Sequence, residues 1–196
     1  MGDILNIRLK EWMRLDYYDP EPLLVKLREF ALSDALLNQP YKVGALRTQE
    51  LKPYLERRQC AIFAYLMSKV VSSRVDVAYC EAGDYDSVMR YRYQDEIRFV
   101  PVQMKELVPE FLNPQQSLQD LVDALRSRYP DSSDLTVAVH VNRDTTIRCD
   151  ELNVEGLQLR GLWLFGGHSE DQAEWRVVGN LLDPAWSTRV VRYPGC

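Results

Sequence analysis

Four polar residues stand at the ends of two neighbouring strand-like runs. Asp84 and Asp86 open the first run, and Gln103 and Lys105 lie near the end of the second. Side chains two residues apart on a strand point to the same side of a sheet. Because a short polar turn at residues 94–96 joins the runs, pairing across it predicts that Asp86 lies close to Gln103 and Lys105.

Such a cluster could bind a metal ion and use it. Carboxylate and amide oxygens are hard ligands that suit Mg²⁺ or Mn²⁺, and these ions bind phosphate through their remaining positions. The ion would lower the pKa of a bound water, and the Lys105 ammonium would position that water or offset developing negative charge. Asp84 is the alternative ligand. We favour Asp86, because Asp86 leads directly into the first strand-like run. The other interpretation is a set of solvated strand ends.

Hydrophobic periodicity predicts the elements that position these residues. Apolar residues recur at helical spacing over residues 20–38 and 49–71. The second helix carries Glu56 and must pack on the sheet, which could bring Glu56 to the same cluster. Strands are expected as an antiparallel meander over residues 74–81, 85–93 and 97–105.

The second half of the chain predicts one further helix and several strands. Residues 117–129 form an amphipathic pattern with Ser117 as the expected N-cap. The apolar run at residues 135–141 follows this helix and predicts a buried parallel strand. A C-terminal strand pair is expected around the turn Gly166-Gly167-His168, at residues 161–165 and 175–178.

This order of elements predicts an α/β fold with mixed strand directions in a single domain. It would consist of an N-terminal helical extension, a core, and C-terminal strands that complete the sheet, at residues 1–48, 49–142 and 143–196.

The arrangement resembles the PD-(D/E)XK, or restriction-endonuclease-like, nuclease superfamily. That family has an αβββαβ core, with an Asp at the start of the second strand, an acid-x-Lys pair on the third and often a Glu on the first helix. Asp86, Gln103, Lys105 and Glu56 stand at the matching positions. The resemblance implies a nuclease that hydrolyses phosphodiester bonds, with DNA as the favoured substrate. It also implies that these four residues are catalytic, and that all but Lys105 are ligands of Mg²⁺ or Mn²⁺.

Two residues depart from the family pattern. Tyr85 precedes Asp86 where Pro is usual, and Gln103 replaces the usual Asp or Glu. An amide carbonyl can still coordinate a metal but brings no negative charge, so lower metal affinity is expected. The alternative is a non-catalytic interaction protein that keeps the nuclease-like fold and binds a protein partner.

Composition and charge restrict the possible partners. Of 196 residues, 46% are hydrophobic and 27% are charged, which excludes disordered and fibrous classes. The net charge of −5 counts against a general DNA-coating protein, although residues 42–74 carry seven basic and two acidic residues. Any nucleic-acid binding is therefore expected to be weak and sensitive to salt.

The chain has the features of a reduced, cytoplasmic protein without a membrane partner. Its longest uncharged apolar stretch, Ala61–Met67, is far shorter than the ~20 residues that span a bilayer. The N-terminus has no apolar core of a signal peptide. The four cysteines form no CxxC pair, so neither a disulfide framework nor a structural zinc site is expected.

Other residues with functional potential favour structural roles. His140 lies in an apolar run and is expected to be a core or rim histidine, and His168 lies in a turn without a Ser or Cys partner. A group of C-terminal aromatic residues could stack on bases, but core packing is the favoured interpretation. These residues are Trp163, Phe165, Trp175 and Trp186.

Overall fold

The computed structural model describes residues 2–33, 39–82 and 84–196. The chain divides into two compact units, one of residues 1–101 with Gly195 and one of residues 102–194 with Cys196. None of the helices in the described ranges is long and apolar enough to cross a membrane.

Helices form the N-terminal part of the first unit. They are α1 Gly2–Trp12, α2 Pro20–Ala31, α3 Tyr41–Gly44 and α4 Lys52–Val70. The carboxylate of Asp19 caps α2 by accepting a hydrogen bond from the Glu21 amide at 3.0 Å. Pro20 occupies the first helical position. The N–H group that proline lacks would have no partner within the helix at this position. Helix α2 therefore begins where the sequence predicts.

The end of α2 differs from the prediction. Its last helical residue is Ala31, and the Ser33 hydroxyl donates to the Phe30 carbonyl at 2.6 Å. A serine hydroxyl that bonds a nearby backbone carbonyl competes with the backbone hydrogen bonds of a helix and favours its end. The predicted helix to residue 38 is thus wrong at Leu32 and Ser33, and residues 34–38 lie outside the described part of the chain.

Helix α4 supplies much of the core of the first unit and confirms the predicted helix. Every residue from Gln59 to Leu66 is buried. The Tyr79 hydroxyl donates to the Arg57 carbonyl, and the Arg57 guanidinium lies 5.3 Å from the centre of the Tyr79 ring. These contacts hold α4 against the first strand of the sheet.

The first two strands, β1 Val75–Ala82 and β2 Tyr85–Tyr93, pair in antiparallel orientation, as predicted. Tyr79 pairs with Ser87, but the next recorded pair is Ala82 with Tyr85. Two residues of β1 therefore oppose the single residue Asp86 of β2, which is the pattern of a β-bulge in β1.

Asp76 joins β1 to β2 away from this bulge. Its carboxylate accepts hydrogen bonds from Arg90 at 2.8 Å and from Arg74 at 2.5 Å. Burial raises the pKa of the Asp76 carboxyl, but the bonds from Arg90 and Arg74 outweigh burial and hold the pKa below its ordinary value. The carboxylate form therefore stabilises the folded state.

Asp76→Asn is expected to lower the free energy of unfolding at pH 7 by about 1.5–3 kcal/mol, the usual contribution of hydrogen bonds to charged groups. Because the folded-state pKa is lowered, this contribution is present above the unfolded pKa of about 4 and is lost as the pH falls through the folded pKa. Urea unfolding should therefore give a lower free energy of unfolding for the variant than for the parent at pH 7, and similar values for both in acid.

Glu96→Gln is a matched control for this prediction. Glu96 also bonds an arginine, Arg98, at 2.6 Å, but its side chain is 68% exposed. Exposed ion pairs contribute little to stability, so this variant should resemble the parent at every pH. If the stability lost in Asp76→Asn were the same at every pH, the role assigned to the carboxylate would be wrong.

The first half of β3, Glu96–Leu107, belongs to the first unit and the second half to the second unit. Helix α5, Leu118–Arg128, follows it, and then β4, Ser132–Val141. Ser117 is the N-cap of α5 in a capping box: its hydroxyl accepts from the Asp120 amide, and the Asp120 carboxylate accepts from the Ser117 amide. Strand β4 pairs with β3 in parallel orientation. Both the helix and the parallel strand are as predicted.

Three strands follow β4. They are β5 Leu159–Gly167, β6 Glu174–Gly179 and β7 Ser187–Arg192. Strand β5 is parallel to β4, and the later neighbours are antiparallel. The predicted strand pair is confirmed, but β7 was not predicted. Its residues from Ser187 to Val190 are all exposed. The sequence therefore lacks the alternation of buried apolar and exposed polar residues from which a strand is predicted.

The predicted turn at Gly166-Gly167 is wrong. Both glycines belong to β5, and the turn follows them, with the His168 amide donating to the Glu174 carbonyl at 2.7 Å. A Cβ added to Gly166 would lie 2.7 Å from the Val141 carbonyl oxygen. The glycine therefore permits close approach of backbone inside the sheet.

Over the described residues the strands form one mixed seven-stranded sheet, in the order β1 to β7. The α/β class with mixed strand directions is confirmed. The predicted succession of helix, three strands, helix and strand is also present, as α4, β1, β2, β3, α5 and β4.

Candidate functional site

Asp86 is the second residue of β2 and lies opposite the β-bulge. Side chains alternate along the strand, so Asp86 shares a side with Val88 and Arg90, whereas Ser87 points to the other side. Asp86 is half-buried. β-Bulges redirect side chains and recur beside functional sites.

Glu56 lies on α4 as part of an exposed ion pair. Its carboxylate is 3.7 Å from the Lys52 ammonium, four residues earlier, and its side chain is 42% exposed. Pairs of this kind on a helix surface contribute only a few tenths of a kcal/mol. Glu56 could therefore leave Lys52 for a metal ion at little cost.

The Cys60 thiol on α4 interacts with Ser87, which points to the side of β2 opposite Asp86. The thiol is fully buried, and its pKa is raised to about 12 by burial and by the negative charges of Asp86 and Glu56. The thiol is therefore protonated at neutral pH and is neither a nucleophile nor a ready metal ligand.

Gln103 is held inside the second unit by two hydrogen bonds. Its Oε1 accepts from the Tyr129 hydroxyl at 3.0 Å, and its Nε2 donates to the Met104 carbonyl at 3.2 Å. The residue is only 7% exposed. The amide oxygen thus has a defined orientation, set by a side chain at the end of α5.

Lys105 stands two residues after Gln103, on the same face of β3. In the parallel pairing with β4, Gln103 lies beside Val137 and Lys105 beside Val139. Lys105 is half-buried, whereas both valines are fully buried. Lys105 therefore lies beside buried apolar residues of β4 and is itself partly exposed.

The four predicted residues fall into two pairs, one in each unit. Asp86 and Glu56 lie in the first, where both negative charges raise the pKa of Cys60, and Gln103 and Lys105 share a face of β3 in the second. In the described ranges, no group of three or more His, Cys, Asp or Glu residues is placed to hold a metal ion.

Sequence reasoning did not identify Tyr129. This residue is the C-cap of α5 and is 2% exposed, and it is the hydrogen-bond donor to Gln103. The helix pattern predicts where Tyr129 lies along the chain. Its partner is 26 residues away, and no local pattern indicates that contact.

The two histidines differ in their surroundings. His140 is 8% exposed, and its ring stacks on Phe165 and Trp175 with centroid distances of 5.1 and 5.6 Å. Its Nδ1 lies 4.0 Å from the Glu106 carboxylate. His168 is exposed, with its Nδ1 3.0 Å from the Arg176 guanidinium. His140 is thus a core histidine, as expected.

The C-terminal aromatic residues do not form one exposed platform. Phe165 and Trp175 are buried, at 1% and 3% exposure, whereas Trp163 is half-buried and Trp186 is 37% exposed. The core interpretation therefore holds for Phe165 and Trp175.

Comparison with known proteins assigns the chain to no family. No protein-family description matches it, and no significant match exists among curated proteins or solved structures.

Proposed function

We propose that the protein is a divalent-metal-dependent nuclease of the PD-(D/E)XK type that hydrolyses phosphodiester bonds, with DNA as the favoured substrate. The observation that carries the proposal is the position of Gln103 and Lys105 on one face of β3, with the Gln103 oxygen held in a defined orientation. The order of α4, β1, β2, β3, α5 and β4 supports it, because it is the order of an αβββαβ core.

Asp86 enters the proposal through the family pattern, which has an aspartate at the start of the second core strand. Asp86 is the second residue of β2, which is the second strand in the observed order.

The proposed roles follow from the chemistry of each group. Asp86 supplies negative charge to Mg²⁺ or Mn²⁺, Gln103 supplies a neutral oxygen, and Glu56 adds a second carboxylate when it leaves Lys52. The metal would lower the pKa of an attacking water. Lys105 would position that water and offset charge on the phosphate.

A second candidate is a non-catalytic interaction protein on a nuclease-like fold. The burial of Gln103 and its bonds to Tyr129 and Met104 favour it, because a buried amide with both ends bonded also has a purely structural use. The net charge of −5 favours a protein partner over nucleic acid.

A thermal melt with Mn²⁺ separates the two candidates. A ligand that binds only the folded state, at a concentration 100 times its Kd, stabilises that state by about 2.7 kcal/mol, or a rise in Tm of about 5–10 °C for a chain of this size. We expect such a rise in millimolar Mn²⁺, relative to NaCl of equal ionic strength. An unchanged Tm together with no nicking of plasmid DNA would favour the interaction protein.

A further inference from the structure

Strand β7 ends the sheet and leaves one of its two edges open. In the described ranges it pairs with β6 on one side, and no further strand lies beyond it in the order of the sheet. All residues from Ser187 to Val190 are exposed, so the folded chain leaves this outer edge accessible to solvent. The backbone donors and acceptors of an open edge form a template for pairing with another strand.

The pairing with β6 determines which backbone groups reach this outer edge. The Tyr193 amide, directly after β7, donates to the carbonyl of Ala173, directly before β6, at 2.8 Å. Backbone groups alternate in direction along an antiparallel strand, so every second residue counted back from Tyr193 also points to β6. The N–H and C=O groups of Thr188 and Val190 therefore point the opposite way, along the outer edge.

Strand β7 lacks several features that protect natural edge strands, such as prolines, bulges and covering segments. It contains no proline, and its pairing with β6 runs without a shift from Ser187 to Arg192. The strand at the other end of the order, β1, is covered: the Tyr18 amide donates to the Val77 carbonyl at 3.1 Å, and the Val77 amide donates to the Tyr18 carbonyl at 3.0 Å. The outer edge of β7 is therefore built to accept a strand.

We propose that this edge binds a second copy of the same chain, with the two β7 strands antiparallel about a two-fold axis at Val190. Most of β7 is paired only if the axis passes through Arg189 or Val190. An axis at Arg189 would place two guanidinium groups opposite each other, which is unfavourable. With the axis at Val190, this valine faces its own copy and Arg189 faces Val191. Arg192 then faces Thr188, so no two charges meet.

The surroundings of β7 favour a second copy over an acidic segment of another protein. Arg192 lies opposite Glu174 in the pairing with β6, so an opposite charge is already beside it. Thr188 and Val190 are β-branched and favour pairing with another strand. Each copy has one such edge and uses it once, so the pairing is closed at two copies and forms no fibre.

Sedimentation velocity of the parent and of two variants, Val190→Lys and Val190→Glu, tests this pairing. A single edge strand makes a small interface, so we expect weak dimerisation that rises between micromolar concentration and about 1 mM. Each variant places two like charges opposite each other at the axis and should lower the association constant by at least about tenfold. Val190 is 43% exposed, so a thermal melt should show that both variants remain folded.

An equimolar mixture of the two variants is the decisive sample. Lysine at position 190 would face glutamate of the other copy, so the mixture should dimerise at least as strongly as the parent. Phe111→Lys is the matched control, because Phe111 is an apolar residue of the same unit, 69% exposed and outside β7. That variant should dimerise like the parent.

Three results would reject the pairing. If the parent stays monomeric up to about 1 mM, the edge does not bind a second copy and is left for a strand of another protein. If both variants dimerise as the parent does, a different surface forms the dimer. If each variant is monomeric and their mixture is monomeric too, residue 190 does not face its own copy.

Discussion

Asp86→Ala is expected to abolish both Mn²⁺ binding and DNA cleavage, whereas Lys105→Ala is expected to abolish cleavage alone. Asp86 is the charged ligand that β2 would supply, so its removal takes away much of the attraction for the ion. The Lys105 ammonium repels a cation and contributes only to the reaction, so metal binding should persist without it. Loss of such a group typically lowers the rate by about 10²–10⁴-fold.

Calorimetry with Mn²⁺ and a plasmid-nicking assay measure the two effects separately. Asp84→Ala is the matched control, because Asp84 is an exposed carboxylate two residues before Asp86 and should leave both measurements unchanged. If Asp84→Ala abolishes binding and Asp86→Ala does not, the ligand is Asp84. If Lys105→Ala cleaves DNA as fast as the parent, the proposed role of Lys105 is wrong.

Gln103→Glu is expected to destabilise the protein without metal and to restore stability when Mn²⁺ is added. One carboxylate oxygen would keep the bond from Tyr129, but the other would replace the Nε2 that donates to the Met104 carbonyl at 3.2 Å. Two acceptors would then face each other in a buried position, which costs about 1–3 kcal/mol. A bound divalent ion would neutralise the new charge and remove this cost.

The same variant has a predictable dependence on pH. Burial and the Met104 carbonyl should raise the pKa of the introduced carboxyl, so its protonated form is favoured in the folded state. The loss of stability should therefore be small below the unfolded pKa of about 4.3 and should grow as the pH rises through the folded pKa. Urea unfolding of parent and variant at pH 4 and pH 7, with and without Mn²⁺, measures each effect.

A negative result for this variant also decides between the two proposals. If Mn²⁺ does not restore the stability of Gln103→Glu, Gln103 is a structural residue and the interaction protein becomes the better proposal.

The sequence by itself determined the elements whose signals are local. Ser117 followed by an apolar helical pattern identifies α5, because a cap and a periodic face act within a few turns of chain. Strand β4 follows this helix, and its continuous apolar run indicates burial on both faces. The position of Asp86 in β2, and of Gln103 and Lys105 in β3, could also be predicted, since alternation depends only on the strand.

Only the tertiary structure decided features that depend on contacts between distant parts of the chain. Strand β7 has an exposed sequence and is defined by its pairing with β6. Gly166 resembles a turn residue, but its role depends on the nearby Val141 carbonyl. The orientation of Gln103 depends on Tyr129, 26 residues away. Hydrogen bonds between distant residues leave no periodic pattern in a sequence, so the fold had to bring these partners together before the chemistry of the site could be described.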